Sequence, residues 1–182
     1  MRNSLAPLLA ALAVFFCAAP AVGAPAVAAD STAVTTVVIV RHAEKSATQL
    51  GDVSLSALGL LRARELARLL GDSGIDTIVV TPYLRNRQTA QPLADRLGDS
   101  LLVIDAIDET VRRVRGPLAG RRILLVGHSN TVPQLVEALA GVKVEPFGED
   151  EFDRLYVITL APGRAPALLR LGYGATRTGR GS

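Results

Sequence analysis

The sequence predicts a single α/β domain built on a mostly parallel sheet, and three observations carry that expectation. β-Branched apolar runs alternate with helical patterns along the chain, the order of βα units. The runs are continuous rather than alternating, as in "TTVVIV" (35–40), which suits strands covered on both faces. At 182 residues and 49% hydrophobic content, the chain is long enough to bury one core and too short for two comfortable ones.

The elements follow in order. Strand 35–40 leads to a helix over about 57–70, with Ser56 as N-cap, Leu58, Leu61, Leu66 and Leu69 as its core stripe and Gly71 as its stop. A second strand covers 76–81. Thr81 then offers a cap and Pro82 fits the first helical position of a helix reaching Leu97, with Leu84, Leu93 and Leu97 facing inward. A short strand at 101–105 and an arginine-rich helix at 107–118 come next. "RRILLVGHSNTVPQLVEALAG" repeats the opening arrangement: strand 122–126, a turn containing His128, and a helix from Val132 to Ala140 ended by Gly141, with Ser129, Asn130 and Thr131 able to cap it. Strands at 154–160 and 166–171 complete the sheet.

Residues 1–29 have the layout of a secretory signal peptide: a charge at Arg2, an apolar run from Leu8 to Ala19, then small residues in Ala-x-Ala-like patterns. The apolar run is shorter than the roughly 18–20 residues of a spanning helix, so no stable membrane anchor is expected. Cleavage is expected after Gly23, Ala28 or Ala29, placing the product outside the cytoplasm, secreted or periplasmic. The folded domain is then 30–174, and 175–182, which lacks a packing pattern, is a flexible tail. Cys17, the only cysteine, leaves with the signal segment; bulky Phe15 and Phe16 before it disfavour lipid attachment. The mature chain therefore has no disulfide, thiol nucleophile or cysteine-ligated metal. Its basic residues are scattered and only 4% of the chain is aromatic, which excludes a nucleic-acid platform. Removing Arg2 changes the balance from 20 − 17 = +3 to 19 − 17 = +2, and a small anionic ligand suits such a chain.

Both histidines, His42 and His128, follow apolar strands at their carboxyl ends, the edge where open α/β sheets bind ligands. Arg85 and Arg87 lie in the first turns of a helix, where cations oppose the macrodipole by about 0.3–1 kcal/mol each. A bound anion turns that liability into a site, because backbone N–H groups and guanidinium forks then converge on the same oxygens. One of the two arginines reads as a solvated surface residue. His128 likewise stands just before a helix N-terminus. Two histidines and at least two arginines so placed specify a site for phosphate or a similar oxyanion. Neither histidine has a metal-ligand partner at suitable spacing, and the chain carries neither a Gly-Lys-Ser/Thr phosphate loop nor a Gly-x-Ser-x-Gly elbow.

The motifs "VRHAEK" (40–45), "LSALGLLRA" (55–63), "TPYLRNRQTA" (81–90) and "VGHSNTV" (126–132) resemble, in order and spacing, those of the histidine phosphatase superfamily, also called phosphoglycerate mutase-like. The resemblance implies a three-layer α/β/α sandwich and phosphoryl transfer through a phosphohistidine, with no metal or other cofactor. It makes His42 the nucleophile, Arg41 and Arg85 the clamp on the phosphoryl oxygens, and a protonated His128 the completion of the pocket; Arg87 falls at the motif's variable place. Arg41 and Arg85 are expected to lower the pKa of His42. The leaving group needs a proton donor. Ser129 stands where the phytase-like branch has an Asp, so the candidates are Asp105, Asp108 and Glu109, with Asp105 favoured by its place at a strand end. Ser129 and Glu44 are taken as substrate-binding, Glu44 through Arg41 or directly. The chain is too compact for a large insertion, which implies an open site for a small phosphorylated substrate, a phosphohistidine or a phosphoprotein. Two rival readings are a catalytically weak phosphate-ligand binding protein and a phosphoglycerate mutase-type phosphotransferase, the latter disfavoured because export removes it from glycolytic intermediates.

Overall fold

A computed structural model describes residues 33–47 and 50–174. The expected signal segment 1–29 and the tail 175–182 lie outside the described residues. The elements are β1 (Thr35–Arg41), α1 (Ala57–Leu70), β2 (Thr77–Val80), α2 (Leu84–Leu97), β3 (Leu101–Val103), α3 (Ile107–Arg115), β4 (Arg122–Gly127), α4 (Thr131–Ala140), β5 (Arg154–Leu160) and β6 (Ala167–Gly172). They form one six-stranded sheet in the order β3-β2-β4-β1-β5-β6. The first four strands run parallel, while β5 pairs antiparallel to β1 and β6 antiparallel to β5.

The strand period of two divides the apolar runs between two cores. Val38, Val40, Ile78, Val80, Leu124 and Val126 face α1 and α2, whose Leu66, Leu70 and Leu93 meet them. Val37, Ile39, Val79, Ile123 and Leu125 face the opposite way, against Val114 of α3 and Val132, Val136 and Leu139 of α4. Coverage on both faces is why these strands are apolar throughout, and each fully buried Val, Leu or Ile contributes about 1.5–3 kcal/mol. The result is a three-layer α/β/α sandwich.

Helix α1 begins where its cap predicts, with Ser56 Oγ accepting from the Gly59 N–H at 3.1 Å. Its buried face differs from the expected leucine stripe. Leu58, Leu61 and Leu69 are 52%, 59% and 45% exposed, and the inward face is Gly59, Arg62, Ala63, Leu66, Ala67 and Leu70. The cause is close approach: a Cβ on Gly59 would lie 2.2 Å from the Glu44 carbonyl oxygen, so the small-residue ridge Gly59, Ala63, Ala67 must face inward. Leucine spacing alone hides such a ridge.

Two capping expectations are also corrected. Helix α2 starts at Leu84, without a side-chain cap from its own N-cap residue Tyr83; the Leu84 N–H donates instead to the Asp52 carboxylate at 2.9 and 3.1 Å. Leu84 is 37% exposed rather than inward, whereas Leu93 is buried and Leu97 packs at the core's edge. Helix α4 carries no side-chain cap either, because Thr131 Oγ1 accepts from the His128 N–H at 2.8 Å. Both threonines of the expected caps are turned toward the sheet's carboxyl edge.

Candidate active site

The β1–β4 register ends with Arg41 opposite Gly127, so the next residue on each strand is a histidine. Parallel pairing thus joins His42 and His128 across 86 residues of sequence, with ring centroids 5.4 Å apart. The turn after β4 requires glycine, since a Cβ on Gly127 would lie 2.9 Å from Thr131 Oγ1 and 3.1 Å from Val132 Cγ2.

His42 is buried, and its N–H donates to the Gly127 carbonyl at 2.9 Å. Its Nδ1 lies 2.8 Å from the Ala43 carbonyl oxygen. A carbonyl only accepts, so the ring hydrogen sits on Nδ1 and Nε2 keeps its lone pair. The loop is fastened to α2: the Ala43 N–H donates to Thr89 Oγ1 at 2.9 Å, and the Thr89 hydroxyl donates to the Arg85 carbonyl at 2.7 Å. Burial first, then the Arg41 and Arg85 charges and His128, push the His42 pKa down to about 3 against the opposing Ala43 hydrogen bond.

His128 is held through different atoms. Arg85 Nη2 lies 3.4 Å from Nδ1 and Thr81 Oγ1 lies 2.9 Å from Nε2. Burial, then Arg85 and Arg41, push its pKa down to about 4, with Asp105 pulling the other way. In the free protein, two guanidinium groups and a half-buried position therefore favour the neutral ring. Arg85 itself lies over the face of Tyr83, 4.5 Å from the ring centroid, and the Tyr83 ring meets His128 edge-on at 5.0 Å.

Arg41 is buried and pinned by a segment that the sequence did not point to. Its Nη1 donates to the carbonyls of Gly148, Glu149 and Glu151 at 2.9–3.0 Å, and its guanidinium lies 4.1 Å over the Phe152 ring. Burial lowers its pKa from the ordinary arginine value, opposed by Asp150, Glu151, Glu149 and Glu44. Its Nε is buried without a hydrogen-bond partner among the described residues. Asn86, fully buried, donates through Nδ2 to the carbonyls of Val126 and Gly127 at 3.0 and 3.2 Å, tying α2 to the end of β4. Neither Asn86 nor Phe152 is legible as a site residue; the sequence carries only an asparagine between two arginines in the first turn of a helix.

Arg41, His42, Arg85 and His128 line one open cleft of about 340 Å³, with Asp105 and Ser129 on its wall and Lys45 and Tyr83 beside them. Asp105 follows β3 by two residues. Asp108 and Glu109 lie in the first turn of α3, away from the cleft wall, and Glu109 pairs with Arg112 and Arg113. Arg87 is exposed and off the cleft wall. Glu44 is also off the wall, which corrects its expected contact with Arg41 or substrate. Its carboxylate is gripped by Arg62 through Nε at 2.9 and 3.0 Å and Nη2 at 2.7 Å, while Arg62 Nη1 donates to the Tyr173 carbonyl at 3.0 Å. The pair fastens the end of β1 to α1 and to the residue after β6. Its desolvated charges favour each other over any mobile ligand.

The site therefore combines an imidazole lone pair, two guanidinium groups and a solvent-facing carboxylate, the parts needed to receive a phosphoryl group and release an alcohol. Residues 37–117 match the family model described as histidine phosphatase superfamily (branch 1). No curated protein sequence matches the chain. Among solved structures, the protein histidine phosphatase SixA complexed with tungstate superposes with a TM-score of 0.64 at 20% identity, over 75% of this chain and 96% of that one. The mycobacterial glucosyl-3-phosphoglycerate phosphatase in complex with inorganic phosphate gives 0.57 at 18% identity, over 78% and 97%. A structure described as mycobacterial hydrolase 1 gives 0.59 at 16% identity, over 79% and 100%. Identities this low speak for the fold alone, and the segment from β1 to the end of α3 is similar to the histidine phosphatase superfamily.

Proposed function

We propose that this chain is an exported phosphatase that hydrolyses phosphomonoesters or phosphohistidine through a covalent phosphohistidine on His42, without a metal ion. The observation that carries the reading is the His42 ring itself: Nδ1 is committed to the Ala43 carbonyl, so the Nε2 lone pair is available in a cleft lined by two arginines.

In the first step, Nε2 attacks phosphorus and the bond from phosphorus to the leaving oxygen breaks. Asp105, as the carboxylic acid, gives its proton to that oxygen. Positive charge grows on the imidazole, and the Nδ1–H bond to the Ala43 carbonyl stabilises it. In the second step, the Asp105 carboxylate takes a proton from water, the water oxygen attacks phosphorus, and the P–N bond breaks to return the lone pair to Nε2. Arg41 and Arg85 neutralise the equatorial oxygens in both steps. Burial and the neighbouring arginines keep His42 unprotonated, so the nucleophile needs no separate base.

The open cleft supports a substrate whose phosphoryl group projects from a larger body, and Ser129 on its wall supplies a hydroxyl for that body. Two of the structural neighbours carry names that place them on a protein phosphohistidine and on a phosphorylated sugar acid, so both classes belong in a substrate panel with an aryl phosphate. Export rests on the layout of residues 1–29; secreted protein whose N-terminal sequence begins at Met1 would refute it. The chemistry is tested with p-nitrophenyl phosphate and a chelator: phosphate is released by the wild type and not by His42→Ala, and a fully active His42→Ala protein sinks the mechanism. Phosphate-dependent thermal stabilisation without turnover on any substrate would replace the enzyme by a phosphate-ligand binding protein.

A further inference from the structure

His128 sits between two partners that together settle where its hydrogen lies. The guanidinium of Arg85 can only donate, so Nδ1, 3.4 Å from Arg85 Nη2, presents its lone pair. The hydrogen of the neutral ring is then on Nε2, and the hydroxyl of Thr81, 2.9 Å away, accepts it. Thr81 is buried directly after β2, the strand on the other side of β4 from β1. It is free for this duty because Asp52, rather than Thr81, satisfies the first N–H of α2.

We propose that Thr81 is the positioning residue of the second histidine: by accepting the Nε2 hydrogen it fixes the ring so that Nδ1, on the Arg85 side, is the atom turned to the phosphoryl group. This rests on the phosphatase reading for its use, though not for its geometry. A phosphoryl oxygen seated on Arg85 meets a lone pair at Nδ1, and that contact is favourable only once Nδ1 carries a hydrogen. Phosphoryl binding therefore brings a proton to Nδ1, either the one a substrate monoanion gives up or one from solvent. The charged and titratable groups in the cleft with the ring are Arg85 and Tyr83 from the start of α2, Arg41, His42 and Lys45 from the end of β1 and the loop after it, and Asp105 after β3. The two arginines oppose the added proton, Asp105 favours it, and the phosphoryl dianion tips the balance. Thr81 keeps Nε2 paired in both charge states, so the ring does not turn as the charge arrives. Without that hydroxyl, Nε2–H would lose its partner, and a ring flip or a tautomer shift would set an N–H against Arg85.

The chain's two histidines make this directly observable by ring nitrogen NMR of the uniformly ¹⁵N-labelled full domain. The free protein should show opposite tautomers, one ring protonated at Nδ1 (His42) and one at Nε2 (His128). Saturating inorganic phosphate should convert the second ring to the doubly protonated form and leave the first neutral. In Thr81→Val the Nε2–H signature of His128 should be lost and kcat/KM on p-nitrophenyl phosphate should fall about tenfold, while Thr81→Ser restores both to within about twofold. Two rings with the same tautomer in the wild type, or a folded Thr81→Val protein with the wild-type His128 signature and wild-type kcat/KM, would overturn the proposal. Opposite tautomers lost in Thr81→Val, in a wild type with no turnover on any phosphate, would overturn the phosphatase reading and leave the positioning role standing.

Discussion

The ends of β1 and β4 lie side by side, and each delivers a histidine to the same cleft, but the two rings are held by opposite nitrogens. His42 is tied through Nδ1 to a backbone carbonyl and leaves Nε2 open. His128 is tied through Nε2 to a threonine hydroxyl and faces an arginine with Nδ1. The supports differ as well: the end of β1 is braced by the Glu44–Arg62 ion pair and by Thr89, the end of β4 by Asn86 and Thr131. Equivalent positions on neighbouring strands thus present different nitrogens to the cleft because different partners surround them, not because the residue type differs.

The sharpest way to break the comparison is to remove each ring in turn. His42→Ala should lower kcat at least about a thousandfold while phosphate still raises the melting temperature. His128→Ala should cost about a hundredfold, because it removes one contact to the phosphoryl group and keeps the nucleophile. Equal losses would mean that the two strand ends share one role.

The braces can be separated in the same manner. Arg62→Met leaves the mostly buried Glu44 carboxylate unpaired and should destabilise the fold by about 3–5 kcal/mol in urea unfolding, more than it changes KM. Asn86→Ala removes two hydrogen bonds to β4 carbonyls and should cost about 1–3 kcal/mol. If Arg62→Met alters KM strongly at unchanged stability, Glu44 belongs to the substrate after all.

Acid distinguishes the rings more gently. Both folded pKa values, about 3 for His42 and about 4 for His128, lie below the ordinary 6.5. Above pH 6.5 both states are neutral and the full stability is present. As pH falls below 6.5 the unfolded chain takes up protons first, so stability is lost until the folded pKa values are passed. The melting temperature should therefore drop by several degrees between pH 7 and pH 4, and His128 should titrate before His42 in an NMR pH series. The smallest effect belongs on the outer face of α1, where Leu61→Ser should change stability by no more than about 0.5 kcal/mol.

Much of this was open to reading in the sequence. Every strand and helix lies within a few residues of its expected span, because continuous β-branched runs and helix-stop glycines act locally. The leucine spacing of α1 points to the wrong face because a helix's buried face depends on which neighbour comes close, and Glu44 comes close only in three dimensions. Thr81 and Thr131 have the local look of caps, and their hydroxyls are instead claimed by His128.

By itself, the sequence determined the order of elements, the cores on the two faces of the sheet, and the arrival of Arg41, His42, Arg85 and His128 at one edge. Periodicity and strand-end placement are properties of short stretches, and four ordered motifs carried the rest. Only the tertiary structure decided which nitrogen of each histidine is free, that Glu44 belongs to Arg62 and that the 148–152 segment holds Arg41. Apart from the contact of His42 with the neighbouring Ala43 carbonyl, those outcomes depend on which donor meets which acceptor across 18 to 110 residues of chain, and hydrogen-bond complementarity at that range is set by packing rather than by any local pattern.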